Sequence, residues 1–327
     1  MRVDPDPHTA RRLLGLLARL AVTALLLLWL FHQAGGLKPV WRAMQAARLE
    51  SVAAAFLLTV GVQAVIAHRL RLLAHAQGVP LRTREVMDIN LVTLFYGLFL
   101  PGGGIAAILI RLYRLTRTDR RYTAILAAVL CERLLATATL CLIGLLFWLL
   151  DGRERLPQAL IVLGAASVPA ALALWPMFHP APSRWVGRLT SRLPLARTLW
   201  PRLAEAFASF RAIPLRGKLG LAALSLGAHL LGTGAYFLLA GGLGLKVPFM
   251  TLGWMRSTAM VIALLPFSVS GLGLREGTMV ALLGQRGVPG HAALAYSMLV
   301  FGVTILSVAL IGGLFEAIRW LRPRRRN

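Results

Sequence analysis

Charged side chains occur inside long apolar segments of this sequence, where charges are rare and usually paired or functional. Glu132 and Arg133 lie within one such segment, and Arg256, Arg275 and Glu276 lie within another. A charge at membrane depth costs on the order of 2.5–3.5 kcal/mol on insertion scales. We therefore expect Arg256 to pair with Glu276, which would leave Arg275 free to bind a phosphate group through two hydrogen bonds. The alternative is an ion pair that only stabilises the fold.

Other polar residues of the apolar segments are weaker candidates. Adjacent helical residues point about 100° apart, so Glu132 and Arg133 should not pair with each other. The two acids of the apolar segments could each instead carry a proton or bind a cationic headgroup. Asn90 and Tyr96 are candidate headgroup contacts. A hydrogen bond between helices explains His229 better than ligand binding does.

Proline and clustered glycines interrupt two apolar stretches, at about 86–115 and 250–284. These residues end helices, and a helix that restarts after the break presents unpaired N–H groups and the positive end of its dipole. Glycines also let an anion approach the backbone. An anion site is therefore expected, and the alternative is that the glycines only permit tight packing. The candidate substrate-binding residues include Glu132, Arg133, Arg256, Arg275 and Glu276, named above. The others are Gly102, Gly103, Gly104 and Arg111 in the first stretch, and Ser268, Ser270, Gly271 and Gly273 in the second.

The composition is that of a membrane protein. Of 327 residues, 57% are hydrophobic and only 15% are charged, whereas an average soluble domain has about 25% charged residues. This composition excludes an ordinary soluble protein and a disordered chain. The net charge of +24 would indicate nucleic-acid binding in a soluble protein. Here the basic residues lie between apolar runs, where they orient the chain and attract anionic headgroups, so we expect no nucleic-acid partner.

The spacing of cysteine and histidine gives no sign of a metal or cofactor site. Cys131 and Cys141 are ten residues apart in one apolar run, which on a helix is about 15 Å and too far for a disulfide. The seven histidines form no metal-binding motif. We therefore expect no metal ion, no cofactor and no catalytic residue.

Six apolar runs are long enough to cross a bilayer of about 30 Å, which requires about 20 helical residues. The two interrupted stretches have limbs too short to span alone, so each is predicted to be a re-entrant helical hairpin whose tip lies inside the membrane. A single kinked span is the alternative. The predicted fold is an all-α integral membrane protein with six spanning helices and two re-entrant hairpins. The six runs cover 13–32, 50–67, 123–149, 157–178, 219–240 and 292–318.

The distribution of positive charge predicts the topology. With both termini in the cytoplasm, the cytoplasmic segments hold 25 Lys and Arg residues and the outer segments hold 7, a strong positive-inside signal. The hairpins then enter from opposite sides, and the single domain 1–327 has inverted halves at 13–149 and 157–318. Interrupted segments at matching positions of two halves are typical of transporter binding sites. Between the halves, 180–216 reads as a basic amphipathic segment on the cytoplasmic membrane surface.

The sequence around the two breaks resembles a known family. Leu-Phe-Leu-Pro-Gly-Gly-Gly at 98–104, followed by Arg111, is similar to the family's first signature. The segment 265–277 is similar to its second signature, and Glu132-Arg133 also fits. The family is the lysylphosphatidylglycerol synthase transmembrane region, also called the flippase-like domain family, and the resemblance extends over about 13–320.

Two differences from the family pattern affect what the resemblance implies. Many members have an acidic residue between the first glycines and the following arginine, but 105–110 contains none, which leaves any role of that acid in doubt here. Larger members carry a soluble aminoacyl-transferring domain. Because this chain ends at Asn327, we do not expect it to aminoacylate lipid itself.

The inverted hairpins and the intramembrane charges predict a lipid translocator of the bacterial cytoplasmic (inner) membrane. It would move a phosphate-bearing lipid, anionic or zwitterionic, between leaflets by alternating access, and membrane lipids would be its partners. Catalysis is the less expected activity. The alternatives are an integral-membrane transferase acting on a lipid-linked sugar or headgroup, and a non-transporting partner of a lipid-modifying enzyme. A homo-oligomer is also compatible with the sequence.

Overall fold

The computed structural model describes residues 7–100, 103–119, 121–152, 156–180, 194–265, 267–268 and 271–321. Within these ranges every regular element is a helix. The helices are α1 (Pro7–Gln33), α2 (Leu37–Gln45), α3 (Leu49–Ala76), α4 (Thr83–Phe99), α5 (Gly103–Thr118), α6 (Tyr122–Leu150), α7 (Pro157–Phe178), α8 (Pro194–Ala212), α9 (Leu215–Gly242), α10 (Phe249–Ala263), α11 (Leu274–Gly284), α12 (Gly290–Phe301) and α13 (Ser307–Leu321). A π-helical turn at Gly302–Leu306 joins the last two.

Among the described helices, five are long and apolar enough to cross a membrane. They are α3, α6, α7, α9 and the continuous helix Gly290–Leu321 that α12 and α13 form together. The bent pair Leu17–Gln33 and Leu37–Gln45, with 80° between its helices, makes up to six if it is counted as one span. The chain is therefore an all-α membrane protein, and five of the six predicted runs coincide with these spans. The first predicted run, 13–32, lies within α1.

Four shorter helices form two packed pairs. The first helix pair consists of α4 and α5, and the second helix pair consists of α10 and α11. Their members have 11 to 17 residues, about 16–26 Å at 1.5 Å per residue. Each member is thus shorter than a hydrocarbon core of about 30 Å. The residues at the two breaks that lie outside the described ranges are Pro101, Gly102, Pro266, Val269 and Ser270.

Helix positions recur at a constant spacing along the chain. Helices α3 and α9 each have 28 residues and pack against each other. The packing recurs as well. The contact of α4 with α13 corresponds to the contact of α10 with α6, and the contact of α2 with α12 corresponds to the contact of α8 with α6. Four pairs of helix ends are 166 positions apart, namely Leu49 and Leu215, Ala76 and Gly242, Thr83 and Phe249, and Thr118 and Gly284.

Side-chain and backbone contacts define the two ends of the bundle. At one end, which we call the basic end, Arg121 donates to the carbonyl of Gly78, and Arg211 donates to the carbonyl of Pro176. At the opposite end, the N–H of Arg48 donates to the carbonyl of Gly242. Helices α3, α6, α7 and α9 therefore run between the same two ends of one bundle.

The region between residues 180 and 216 is only partly described. Residues 181–193 lie outside the described ranges, and α8 covers 194–212. Helix α8 continues through Pro201. Buried Phe207 and Phe210 attach it to the core cluster that also contains Met177 of α7.

Glycines allow two close helix crossings. A Cβ atom at Gly312 of α13 would lie 2.0 Å from the carbonyl oxygen of Leu91 in α4. A Cβ atom at Gly253 of α10 would lie 1.9 Å from the ring of Phe147 in α6. A side chain at Gly312 would have to push the two helices apart, and one at Gly253 would have to displace the buried Phe147 ring. The first limb of each helix pair is therefore packed closely against a spanning helix.

The Gly312→Ala variant should lose stability because its methyl group would overlap backbone atoms that cannot rotate away. Overpacking of this kind typically costs about 1–3 kcal/mol. Thermal unfolding of the purified protein in detergent measures the effect. Gly227→Ala is the matched control, since a Cβ atom there has nothing within 4 Å, and an unchanged midpoint for Gly312→Ala would contradict the packing described.

Candidate functional site

An ion cluster of three charged residues lies buried between α3, α5 and α6. Arg69 Nη2 donates to Glu132 Oε1, and Arg111 Nη1 donates to Glu132 Oε2 over 3.3 Å. The three side chains are 2–6% exposed. Arg69 also donates from Nη1 to Ser225 Oγ of α9 over 2.8 Å. Because two arginines share one carboxylate, the cluster carries one excess positive charge.

This cluster changes the expected role of Glu132. Both carboxylate oxygens accept from arginine, so the acid is not available to carry a proton or to bind a cationic headgroup. Arg133 is exposed on the neighbouring face of α6 and, as expected, is not the partner of Glu132.

The contribution of Arg69 could not be foreseen from the predicted span 50–67, which placed it in a cytoplasmic loop. In the structure α3 continues to Ala76, and Leu70, Leu73 and Ala74 remain buried beyond Arg69. The helical spacing of these apolar residues was the available signal that the helix extends past the arginine.

The predicted pair Arg256–Glu276 is wrong. Glu276 Oε1 accepts from Nε and Nη2 of Arg275, while Glu276 Oε2 accepts from the backbone N–H of Gly273 over 2.7 Å. The acid is the third residue of α11 and folds back to cap the helix, a position where carboxylates are favoured. The cap brings the carboxylate beside Arg275, which is therefore paired and 4% exposed rather than free.

Arg256 is the unpaired cation of the described core. It is 8% exposed, and its Nε and Nη1 have no hydrogen-bond partner. Its guanidinium group lies 5.5 Å from the ring centre of Tyr236 in α9, a cation–π contact. A Cβ atom at Gly232 would lie 2.6 Å from Nη2, so this glycine makes room for the arginine. Sequence analysis identified the residue but assigned it the wrong partner.

His229 links two of the spanning helices. Its Nε2 and the carbonyl oxygen of Ala136 are 3.1 Å apart, so the expected hydrogen bond between helices α9 and α6 is confirmed. The ring is close enough to both Arg256 and Arg69 to interact with them electrostatically. The ring thus lies within the electrostatic field of Arg69 in the ion cluster and of Arg256.

The second glycine-rich break is tightly packed where the structure describes it. Gly271 and Gly273 have positive φ angles of 75° and 83°, which other residues rarely adopt. A Cβ atom at Gly271 would lie 2.7 Å from Cβ of Ala263, and one at Gly273 would lie 3.0 Å from Cβ of Leu26. These contacts favour a packing role for both glycines. Nearby Ser268 is 6% exposed, and its hydroxyl has no hydrogen-bond partner.

The first break is described only from Gly103 onward. Helix α5 begins at Gly103, so Gly104 is its second residue. Gly102 of the first break and Ser270 of the second lie outside the described ranges. The side chain of Arg111 projects from the middle of α5 into the ion cluster rather than toward the helix start.

An acid near each end of the bundle binds one helix pair. Asp151, at the end of α6, accepts from Thr251 Oγ1 over 2.8 Å and from Trp254 Nε1 over 2.6 Å. Arg286 donates to the same carboxylate over 3.5 Å and lies 5.5 Å from the Trp254 ring centre. We call this arrangement the Asp151 clasp, and it ties α6 to the second helix pair.

The Glu316 clasp has the same composition at the basic end. Glu316 of α13 accepts from the hydroxyl of Tyr96 over 3.1 Å and from Arg114. Arg114 also lies 5.9 Å from the Tyr96 ring centre. Each clasp thus consists of an acid, an aromatic donor on the first limb of a helix pair and an arginine on that aromatic ring. Sequence analysis did not connect these residues because they are far apart in the chain.

The described residues define an all-α membrane protein with a charged core. Within them, no group of three His, Cys, Asp or Glu side chains could hold a metal ion. The chain belongs to the family described as the lysylphosphatidylglycerol synthase TM region, whose model matches residues 16–312. Membership links the protein to lipid metabolism or translocation in membranes. Comparison with curated proteins gave no match.

Glu132→Gln should strongly destabilise the protein because it leaves Arg69 and Arg111 buried beside an uncharged amide. Breaking a buried ion pair from one side typically costs about 3–5 kcal/mol. The measurement is the thermal unfolding midpoint in detergent. Asp88→Asn is the matched control, since the Asp88–Arg319 pair is 44% and 42% exposed and such pairs contribute little. Equal midpoints for the two variants would argue against the cluster.

Proposed function

We propose that the protein translocates a phosphate-bearing lipid between membrane leaflets by alternating access. The observation that carries this proposal is Arg256, a buried guanidinium group with two nitrogens that have no hydrogen-bond partner. A buried unpaired charge is costly, and in membrane proteins such residues mark substrate pathways. A phosphate oxygen is the natural ligand because arginine binds oxyanions through charge-assisted hydrogen bonds.

A second centre supports anion binding. The ion cluster of Arg69, Glu132 and Arg111 has one excess positive charge, and Arg111 has no hydrogen-bond partner at Nε and Nη2. His229 interacts electrostatically with Arg69 of this cluster and with Arg256. We infer a path on which the phosphate group moves from one cationic centre to the other without leaving polar surroundings.

We also propose that the two helix pairs are re-entrant hairpins in an inverted repeat. Three observations support this: the members of each pair are shorter than a bilayer core, the helix bounds recur 166 positions apart, and the packing recurs with them. Apolar side chains at the breaks are exposed, Phe99 at 53% and Phe267 at 61%, which suits contact with lipid chains.

The basic end is proposed to face the cytoplasm. The segments predicted to be cytoplasmic hold 25 Lys and Arg residues and the outer segments hold 7, which by the positive-inside rule supports this orientation. Both termini would then be cytoplasmic, and the membrane would be the bacterial inner membrane. In this orientation the Glu316 clasp is the inner gate and the Asp151 clasp is the outer gate.

Alternating access follows if the clasps open one at a time. Each clasp holds a helix pair against a spanning helix near one end of the bundle. Release of the Asp151 clasp would expose the core to the outer leaflet, and release of the Glu316 clasp would expose it to the inner leaflet. In the structure both clasps are formed.

Arg256→Gln should slow translocation by about tenfold or more, because charge-assisted hydrogen bonds contribute about 1.5–3 kcal/mol. Folding should be retained, since the substitution removes an unpaired buried charge. Leaflet exchange of a fluorescent phospholipid in proteoliposomes, read by quenching with dithionite, measures the rate. Arg42→Gln makes the same charge change at an exposed position and should leave the rate unchanged. An unchanged rate of leaflet exchange in the Arg256 variant would refute the proposed site.

The gates can be tested by cysteine labelling in a chain with Cys131 and Cys141 replaced by serine. Ser257→Cys places a thiol where α10 contacts Gly144 of α6. Adding Asp151→Asn should increase its labelling by a membrane-impermeant maleimide applied outside, because the outer gate loses its acid. Glu50→Gln, an exposed acid at the same end, is the control.

The inner gate has a matching test. Leu91→Cys lies where α4 contacts Gly312 of α13. Glu316→Gln should increase its labelling in inside-out vesicles and leave the Ser257→Cys site protected, with Asp88→Asn as control. If each clasp variant exposed both sites equally, the clasps would be structural ties and not alternating gates.

A further inference from the structure

One spanning helix changes its hydrogen-bond pattern near its middle. The helix Gly290–Leu321 contains the π turn Gly302–Leu306, where the N–H of Ser307 donates to the carbonyl of Gly302, five residues back in place of four. Turns of this kind are rare, occur frequently at functional sites and are a known cause of helix kinks. The π turn is therefore the point at which this helix can bend.

Two hydroxyl groups reinforce the change of pattern. Thr304 Oγ1 donates to the carbonyl of Val300 over 2.8 Å, and Ser307 Oγ donates to the carbonyl of Val303 over 2.6 Å. Such bonds compete with the backbone ladder and often bend helices. They also give both carbonyls a second donor, so the backbone N–H groups at the turn can change partner without leaving these carbonyls unpaired.

The part of the helix after the π turn, α13, is attached to the first helix pair. A Cβ atom at Gly313 would lie 2.7 Å from the ring of Phe95 in α4, so the two helices are in close contact here as well as at the crossing described above. Glu316 forms its clasp with this helix pair, and Arg319 donates to Asp88 of α4 over 3.4 Å. Helix α13 and the first helix pair thus form one packed unit.

The part before the π turn, α12, has different neighbours. The hydroxyl of Tyr296 donates to the carbonyl of Tyr236 in α9 over 3.1 Å. Buried Leu294 belongs to a core cluster with Leu30 of α1 and Val40 of α2, and α12 also packs against α11. The packing partners of the helix therefore change at the π turn, from the second helix pair and α2 to the first helix pair.

The π turn also adjoins an arginine of the second helix pair. The ring centre of Phe301, the last residue of α12, lies 5.4 Å from the guanidinium group of Arg275. Arg275 donates to Glu276, whose other carboxylate oxygen caps α11. Because Phe301 directly precedes the π turn, a change of bend would shift its ring and be transmitted to the start of α11.

We propose that the π turn is the joint at which the first helix pair and α13 move, as one unit, against α11, α12 and α2. The inference rests on the proposed alternating access and identifies its moving part. A carbonyl in the turn can accept from the N–H four or five residues ahead, so exchange of single hydrogen bonds changes the bend while the helix stays folded. The Glu316 clasp lies on one side of the joint, and Arg286 of the Asp151 clasp follows α11 on the other. One clasp can therefore open while the other stays formed.

Deletion of Thr304 tests the joint. A π pattern with one residue fewer becomes an α pattern, so α12 and α13 should continue as one regular helix and keep their packed faces. Nitroxide labels on Leu37→Cys of α2 and Leu310→Cys of α13, both exposed, report the distance between the two units. Pulsed electron paramagnetic resonance measures it in a chain with Cys131 and Cys141 replaced by serine.

Glu316→Gln, which weakens the inner clasp, should add a second distance between these labels in the chain with an intact π turn. Deletion of Thr304 should abolish it. The label pair Arg84→Cys and Leu310→Cys lies within the moving unit, at exposed positions of α4 and α13, and should give one distance throughout. Distributions between Leu37 and Leu310 that are the same with and without Thr304 would overturn the joint.

The double variant Thr304→Val/Ser307→Ala tests the joint at unchanged chain length. Loss of the two hydroxyl donors should lower the population of the second distance in the Glu316→Gln chain by about threefold or more, and should leave the unfolding midpoint unchanged or raise it. Thr278→Val is the matched control, since Thr278 makes the same bond to the carbonyl of Leu274 over 2.7 Å within regular helix α11. A lower midpoint with an unchanged second distance would indicate a purely structural role and refute the joint.

Lipid exchange in proteoliposomes distinguishes this inference from the proposed function. Slower exchange of a fluorescent phospholipid after deletion of Thr304 supports both. A second distance that depends on the π turn, without lipid exchange in any chain, would leave the joint standing and refute translocation. Equal exchange with and without Thr304, with equal distances, would support translocation and refute the joint.

Discussion

An excess of buried positive charge is the constraint on which the rest of this structure depends. Away from the two clasps, both oxygens of each buried carboxylate accept hydrogen bonds: Glu132 is shared between two arginines, and Glu276 between Arg275 and a helix N-terminus. Arg256 has a single aromatic ring in place of a counter-ion. In a low-dielectric interior such an imbalance is stable only if the surrounding helices are held rigidly or if an anion neutralises it.

The helix positions repeat between the two halves of the chain, but the side chains at equivalent positions differ. Helices α3 and α9, α4 and α10, and α5 and α11 share the 166-position spacing, yet Asn90 stands where the second helix pair has Arg256. The same helix position therefore carries a neutral amide in one half and a positive charge in the other, so the two halves should bind an anion with different affinity. In the proposed mechanism, a charged group crossing the core would meet a cation in one half and a neutral amide in the other, and so would bind less tightly in one half than in the other.

Sequence alone predicted the features that depend on local composition. The apolar runs located the spans, and Pro101 and Pro266 located the breaks. The partners of the charged residues depend on three-dimensional packing, and there the prediction failed. Glu276 pairs with its neighbour because it caps α11, and Arg69 reaches Glu132 because α3 extends beyond its apolar run.

In the proposed mechanism, the two clasps couple the charged core to the helix pairs. Each acid belongs to a spanning helix, and each aromatic donor belongs to a helix pair from the other part of the chain: Asp151 of α6 holds Trp254, and Glu316 of α13 holds Tyr96. The arginine that completes each clasp stacks on that donor, so loss of the acid contact also frees the ring. Because Arg256 follows Trp254 by less than one helical turn, a movement that opens the Asp151 clasp must also move the unpaired cation. In the proposed mechanism, opening and anion binding are therefore linked through α10.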